Sequence, residues 1–204
     1  MKTVPTRRPR ARKGDGELLR GEILRAAERL LIKTGDQDAV SIRAIAAAVG
    51  VTPPSIYLHF ADKTELIFAV CALHFSALDE AIETAASAAK SPMEELGLRG
   101  RAYVRFGLDH PEQYRILFMS KPTATPEEWS GEAMLENAAF NHHLEAVQRA
   151  LPNASEPYIV AIGLWAAVHG VTSLLIAQPD FPWPDVDVLV DHIRATQVKG
   201  IAAG

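Results

Sequence analysis

The chain contains 204 residues, of which 48% are hydrophobic and 23% charged, as expected for a globular protein with one or two cored domains. A single cysteine, Cys71, excludes an intrachain disulfide, and we expect it to be a small residue on a buried helix face rather than a reactive thiol. The sequence shows neither a signal peptide nor a run of about 18 uncharged apolar residues, which predicts a cytoplasmic protein with no membrane partner.

The net charge of −4 is divided unevenly along the chain. Residues 1–63 hold 12 Lys and Arg against 7 Asp and Glu, whereas residues 64–204 hold 9 against 18. Such a split is expected when only one end of a protein meets a polyanion. Residues 1–14 contain six basic residues, two prolines and no acid, which predicts a disordered basic arm. Contact of this arm with DNA and a purely solvated tail are equally open.

Alanine and leucine are abundant and strand-type residue clusters are sparse, so we predict an all-α fold. Apolar residues at helical spacing, together with end signals, predict about nine helices. In chain order they lie at about 17–34, 42–48, 53–59, 63–89, 92–109, 111–119, 127–150, 155–177 and 185–199. Residues 120–126 are predicted as a loop. The first three helices form a domain over 15–63, and the long fourth helix joins it to a helical domain over 64–204.

Local signals place several helix ends. Ser41 and Thr52 are suited to cap the second and third helices, and Pro53 is suited to the first position of the third. Asp62-Lys63-Thr64-Glu65 has the pattern of a capping box at the start of the fourth helix. The most apolar stretch is Ile159–Ala177, for which we expect a buried helix rather than a membrane span.

The functional signal is concentrated in Ser41–Phe60, SIRAIAAAVGVTPPSIYLHF. Alanines on the first helix of this stretch allow a close crossing, and Gly50 permits the tight turn before the second helix. The second helix directs Ile56 and Phe60 inward and leaves its polar residues for the outer face, as a recognition helix requires. The stretch is therefore predicted to be a helix-turn-helix.

These residues resemble the tetracycline-repressor (TetR) family of bacterial regulators. The resemblance is carried by Ser41–Ala46, Val49–Val51, Ser55–Phe60 and Lys63–Leu66. The DNA-binding residues it implies are Ser41, Arg43, Thr52, Pro53, Ser55, Tyr57, His59 and Lys63. Pro53 and Pro54 stand where the family often has polar or small residues, and neither ring can hydrogen-bond a base. Specificity is therefore expected to depend more on Arg43, Ser55 and Tyr57.

A weaker resemblance lies in Trp165-Ala-Ala-Val-His169-Gly170, which is similar to the Trp-His-Gly signature of one TetR subgroup. Trp165 and His169 are four residues apart on one helix face, and Gly170 would let a neighbouring helix approach. The family implies an effector cavity here, although ordinary core packing explains the same residues equally well. The candidate ligand-binding residues are Tyr103, Phe106, Phe118, Met119, Phe140, Trp165 and His169, and Tyr114 could line the same space.

The resemblance implies three partners: a double-stranded DNA operator, a small apolar effector of unknown identity and a second copy of the chain. We expect a repressor that is released when the effector enters between the fourth and eighth helices and moves the fourth. The homodimer is expected to form through the eighth and ninth helices. The apolar residues expected on their faces are Ile159, Ile162, Trp165, Leu174, Val186, Leu189, Val190 and Ile193.

Two other classes of protein are alternatives to a regulator with an effector. An enzyme is disfavoured because the sequence offers no nucleophile–base motif, phosphate loop or metal set. His142 and His143 are adjacent and point about 100° apart on a helix, so we predict neither a metal site nor another cofactor. A DNA-binding protein without an effector, acting architecturally or through a protein partner, remains an open alternative.

Overall fold

The computed structural model describes residues 15–118 and 138–202, and within these ranges the chain forms nine α-helices. The helices are α1 (Asp15–Thr34), α2 (Ile42–Val49), α3 (Pro53–Ile56), α4 (Lys63–Ala86), α5 (Pro92–Asp109), α6 (Pro111–Phe118), α7 (Ala138–Ala150), α8 (Pro157–Ala177) and α9 (Val186–Ala202). The predicted all-α fold is therefore confirmed. The basic arm at 1–14, the loop at 120–126 and the first part of the predicted seventh helix lie outside the described residues.

The described residues divide into two compact units. The N-terminal unit comprises residues 15–74 together with 115–118, and the C-terminal unit comprises residues 75–114 together with 138–202. The division falls inside α4 and inside α6, so each of these helices contributes residues to both units.

The N-terminal unit is organised around an apolar core that α1 to α4 share. Ile23, Ala27 and Leu31 recur every fourth residue on α1, and each of them is buried. Ile45 from α2 and Ile56 from α3 are fully buried in the same core. Because each short helix buries one face here, its opposite face is left toward solvent.

The ends of α2 follow the predicted signals. The Ser41 hydroxyl oxygen accepts a hydrogen bond from the Ala44 N–H at 3.2 Å, which caps the helix. Gly50 has φ = +76°, a left-handed conformation that favours glycine, and it turns the chain toward α3.

The third helix differs from its prediction in two respects. It ends at Ile56 rather than near residue 59, and residues 57–59 form a turn. Thr52 occupies the N-cap position, but its hydroxyl does not cap the helix. The reason is that Pro53 and Pro54 have no N–H, while the next donor, the Ser55 N–H, is bound by the Thr52 carbonyl at 2.9 Å.

The fourth helix begins at the predicted capping box. The Glu65 N–H donates to Asp62 Oδ1 at 2.8 Å, and the Glu65 carboxylate accepts from the Ala61 N–H in return. The helix ends at Ala86, three residues before the predicted end, because the Ala88 and Ala89 N–H groups bind carbonyls three residues back and tighten the last turn.

In the C-terminal unit, α5 packs against α7, α8 and α9. The backbone of α5 comes close to α8 at Gly107, where an added Cβ would overlap the side-chain methyl group of Thr172, so only glycine fits. Gly170 was expected to serve this purpose, but no described atom lies within 4 Å of a Cβ built there. The sequence therefore indicated that α8 takes part in a close helix contact, but the glycine that allows the contact within the chain is on α5.

The expectation of a buried helix over Ile159–Ala177 is wrong for the single chain. The residues of α8 that are buried are Ala161, Leu164, Thr172 and Leu175. Ile159 and Leu174 are instead 64% and 53% exposed. In the described part of the chain, α8 is also the one helix that is long and apolar enough to cross a membrane, judged by length and composition alone.

Candidate nucleic-acid interface and polar cluster

The predicted DNA-contacting residues of α2 lie at its exposed N-terminal end. Ser41 and Arg43 are both exposed, and the Ser41 oxygen that accepts from Ala44 keeps its own proton for donation. Within the described ranges no carboxylate pairs with Arg43. An exposed guanidinium without a carboxylate partner is suited to bind a phosphate or the edge of a guanine.

The predicted residues of α3 and the following turn form the second part of this surface. The hydroxyls of Thr52 and Ser55 lie 3.0 Å apart and hydrogen-bond to each other. Tyr57 is 52% exposed, so its ring lies on the surface and not in the core. His59 is half-buried.

The remaining predicted residues, Pro53 and Lys63, are half-buried, and in the described structure no carboxylate pairs with Lys63. The eight residues thus lie on three elements that pack around one core, and none is buried. Unpaired cations beside hydroxyl groups can hold a polyanion backbone and still donate to base edges.

Sequence reasoning missed one residue of this surface, Leu58, which is the most exposed large hydrophobic residue in the described structure at 84%. The signal was available, because Leu58 lies between two residues that were assigned outward positions and is four residues from Pro54.

The C-terminal unit contains a cluster of hydrogen-bonded aromatic side chains. The Trp165 indole N–H donates to the Tyr103 hydroxyl at 3.3 Å. The Tyr103 hydroxyl lies 3.3 Å from the Tyr114 hydroxyl, which in turn lies 2.7 Å from His169 Nδ1. The predicted pairing of Trp165 with His169 is present, with ring centroids 6.0 Å apart.

The protonation states of the ionisable groups in this cluster follow from their burial. Burial raises the pKa of both Tyr103 and Tyr114, so both hydroxyls stay protonated and able to donate. Burial lowers the pKa of His169, which is therefore neutral at pH 7. The shortest contact joins the Tyr114 hydroxyl to His169 Nδ1 at 2.7 Å, and a neutral imidazole nitrogen donates or accepts there according to its tautomer.

The other predicted ligand-binding residues are distributed more widely. Phe140 joins the cluster, with its ring centroid 6.3 Å from that of Trp165. Phe106 is buried against the ring of His110, with centroids 4.9 Å apart. Phe118 belongs to the N-terminal unit, and Met119 lies outside the described residues.

The two adjacent histidines of α7 point in different directions, as expected. His142 Nδ1 lies 3.0 Å from Asp79 Oδ1 and 3.3 Å from Glu83 Oε1. His143 Nε2 instead lies 3.0 Å from the Ala161 carbonyl oxygen and donates to it.

His142, Asp79 and Glu83 place their possible metal-ligand atoms within 4.8 Å of one another. However, the buried Arg99 guanidinium lies 2.8 Å from the Glu83 carboxylate and 3.1 Å from that of Glu95. Because this fixed cation already pairs with Glu83, the arrangement fits an ion-pair network joining α4, α5 and α7 better than a cation site.

Two stretches of the chain match known families. Residues 23–70 match the family described as "Bacterial regulatory proteins, tetR family", and residues 98–196 match "Tetracyclin repressor-like, C-terminal domain". The chain belongs to the TetR family. The resemblance found at the helix-turn-helix is thereby confirmed, and because this is a family of DNA-binding regulators, the enzyme alternative is set aside.

Individual relatives agree with this membership. The HTH-type transcriptional activator FasR of Mycolicibacterium smegmatis is 29% identical over 109 residues, which are 53% of this chain and 49% of FasR. The chain thus matches about half the length of this curated relative.

Solved TetR-like structures agree over nearly the whole chain. A regulator from Rhodococcus sp. RHA1 is 21% identical with a TM-score of 0.66, covering 96% of this chain and 100% of that one. NalD, a repressor of a multidrug efflux pump in Pseudomonas aeruginosa, is 24% identical with a TM-score of 0.63, covering 93% and 98%. At these identities the two structures support the fold alone.

The histidines of this TetR chain predict opposite pH dependences. The pKa of His169 is lowered by burial, so its contribution to the free energy of unfolding is lost as the pH falls below about 6.5. The hydrogen bond to Asp79 raises the pKa of His142, so its contribution is complete below about 6.5 and is lost as the pH rises above it.

Urea unfolding between pH 5.5 and 8 measures both effects. His169→Gln should reduce the loss of stability on the acid side, and His142→Gln should reduce the loss on the alkaline side. Equal pH profiles for the two variants would contradict the assignment.

Proposed function

We propose that this TetR-family chain is a cytoplasmic DNA-binding repressor that recognises an operator through α2, α3 and the start of α4, and that a small, largely apolar effector releases it. The observation that carries the proposal is the exposed surface of the helix-turn-helix, where Arg43 and Lys63 have no carboxylate partner in the described structure and Tyr57 lies on the surface. The excess of basic residues in 1–63 supports the same partner.

Arg43→Ala and Tyr57→Ala should each weaken operator binding by about tenfold or more, because each removes a contact to phosphate or base without removing core packing. The measurement is a gel-shift titration at several salt concentrations with the DNA upstream of the chain's own gene. Arg29→Ala, an exposed cation on α1, is the matched control and should bind as the wild type does.

Thermal unfolding of each variant shows that the fold is retained. If the wild type showed no preference for any sequence, the proposed function would be wrong. If the wild type bound the operator and both variants bound it as tightly as the wild type, only the contact assignment would be wrong.

We further propose that α8 and α9 form the interface of a homodimer, since two recognition helices must reach successive half-sites on one face of DNA. Ile159 and Leu174 on α8 and Val188 on α9 are exposed apolar residues of the single chain. Of the residues expected at this interface, Val190 is unsuitable because it is buried inside its own unit against Val104. The exposed residue two positions earlier, Val188, takes its place.

Leu174→Glu should convert the dimer to a monomer and weaken operator binding by roughly 100-fold or more, because the two half-sites are then bound independently. Size-exclusion chromatography with light scattering measures the mass. Leu18→Glu, which alters an exposed leucine on α1, is the control and should stay dimeric. A Leu174→Glu protein that remains dimeric would place the interface elsewhere.

The effector is proposed to bind in the C-terminal unit at the cluster of Tyr103, Tyr114, Trp165 and His169. Small-molecule sites combine aromatic walls with a few converging polar groups, and this cluster supplies both. The effector is therefore expected to have an apolar body with one polar group. Effector and operator must then weaken each other's binding by the same factor.

A thermal-shift screen of aromatic and aliphatic carbonyl compounds, with their parent hydrocarbons, tests this proposal. A carbonyl compound that raises the unfolding temperature should also weaken operator binding. Tyr103→Phe, which removes only a hydroxyl, should lose this response, while Tyr158→Phe, which alters an exposed tyrosine on α8, should keep it. A carbonyl compound that strengthened operator binding would contradict the proposed release by an effector.

A further inference from the structure

We propose that Leu58 determines operator specificity by covering the C5-methyl group of a thymine in the major groove. This inference rests on the proposed DNA-binding function and adds to it a base and the side chain that reads it.

Leu58 differs from its neighbours in its exposure to solvent. Its neighbours Ile56 and Phe60 are buried at 0% and 1% exposure, whereas Leu58 is 84% exposed. The His59 and Phe60 N–H groups both bind the Ile56 carbonyl, at 2.9 and 3.1 Å, so the turn continues the winding of α3. Leu58 therefore follows Pro54 at i+4, and both side chains are exposed.

Leu58 contributes little to the fold in this position. A side chain with this exposure removes almost no apolar area from water, so its truncation has little effect on stability. Packing within the chain therefore does not account for this leucine, which lies between Tyr57 and His59 on the proposed DNA-binding surface.

The rest of α3 offers few hydrogen-bonding groups for reading bases. Pro53 and Pro54 have no N–H, and the hydroxyls of Thr52 and Ser55 are bonded to each other. An apolar contact can distinguish one base from another where hydrogen bonds from α3 do not. In the major groove the thymine methyl is the apolar feature that distinguishes one base from the others, and a leucine side chain can cover it.

The basic residues that follow Leu58 in the sequence favour DNA as its partner. Leu58 lies one residue before His59 and five before Lys63, which has no carboxylate partner in the described ranges. Residues 1–63 carry five more basic than acidic groups, an excess that the basic arm at 1–14 supplies. A polyanion with apolar methyl groups in its groove complements both properties, whereas an apolar protein surface complements only one.

The experiment replaces the thymines of the operator, one at a time, by deoxyuridine, which lacks only the C5-methyl group. Operator duplexes selected with the wild-type protein are titrated by fluorescence anisotropy at one salt concentration. In each half-site, one thymine position should be sensitive. A single deoxyuridine at that position should weaken wild-type binding by about fourfold, the factor that corresponds to one buried methyl group.

The matched protein variant is Leu58→Ala. It should bind the thymine operator about as weakly as the wild type binds an operator with deoxyuridine at the matching position of both half-sites, and it should be insensitive to deoxyuridine at that position. Leu18→Ala, which truncates another exposed leucine of the same unit, should retain the full wild-type sensitivity.

Three outcomes would overturn the inference. Leu58→Ala could remain as sensitive to every deoxyuridine substitution as the wild type. It could lose affinity equally for all duplexes, which would place Leu58 against the sugar–phosphate backbone. It could change the association state and leave DNA binding intact, which would make the patch a protein contact. Failure of the wild type to select any operator would instead refute the proposed function itself.

Discussion

The exposed surface of the helix-turn-helix depends on the apolar core beneath it. With only four residues, α3 is too short to be stable as an isolated helix. Its position is fixed because Ile56 is fully buried and Phe60, just beyond it, is nearly so, and because Ile45 holds α2 to the same core. The outward direction of Arg43 and Tyr57 is a consequence of this burial. A cavity in the core would therefore disturb the proposed DNA contacts without touching any of them.

The C-terminal unit places polar groups in its interior. Tyr103 and Tyr114 are buried, yet their hydroxyls are bonded to each other and to His169. Buried polar groups are tolerated when they are hydrogen-bonded, and a connected set of them favours one arrangement of the surrounding helices. The proximity of Gly107 to Thr172 has the same effect, since any larger residue would separate α5 from α8. The proposed effector site is thus built on closely fixed helices.

The buried Arg99 provides a second polar connection in this unit. It joins Glu83 of α4 to Glu95 of α5, and Glu95 also binds Arg149 of α7 at 2.7 Å. These ion pairs hold the pKa of Glu95 below its usual range. Removal of Arg99 or Glu95 would leave the other member of this pair charged and poorly solvated, which costs far more than the loss of an exposed pair.

In the N-terminal unit, burial raises the pKa of the Cys71 thiol to about 11, so this cysteine is protonated and unreactive.

The sequence by itself determined the features that depend on nearby residues. The cap at Ser41, the left-handed Gly50 and the start of α4 at Asp62 were predicted correctly, because each is set by hydrogen bonds or backbone preferences within a few positions. The family followed from a local motif for the same reason. The tertiary structure alone decided which of two similar residues performs a role. Gly107 and not Gly170 allows the close approach, Val188 and not Val190 faces outward, and Leu58 is exposed beside Tyr57. These choices depend on which helix lies opposite, and residues far apart in the chain determine that.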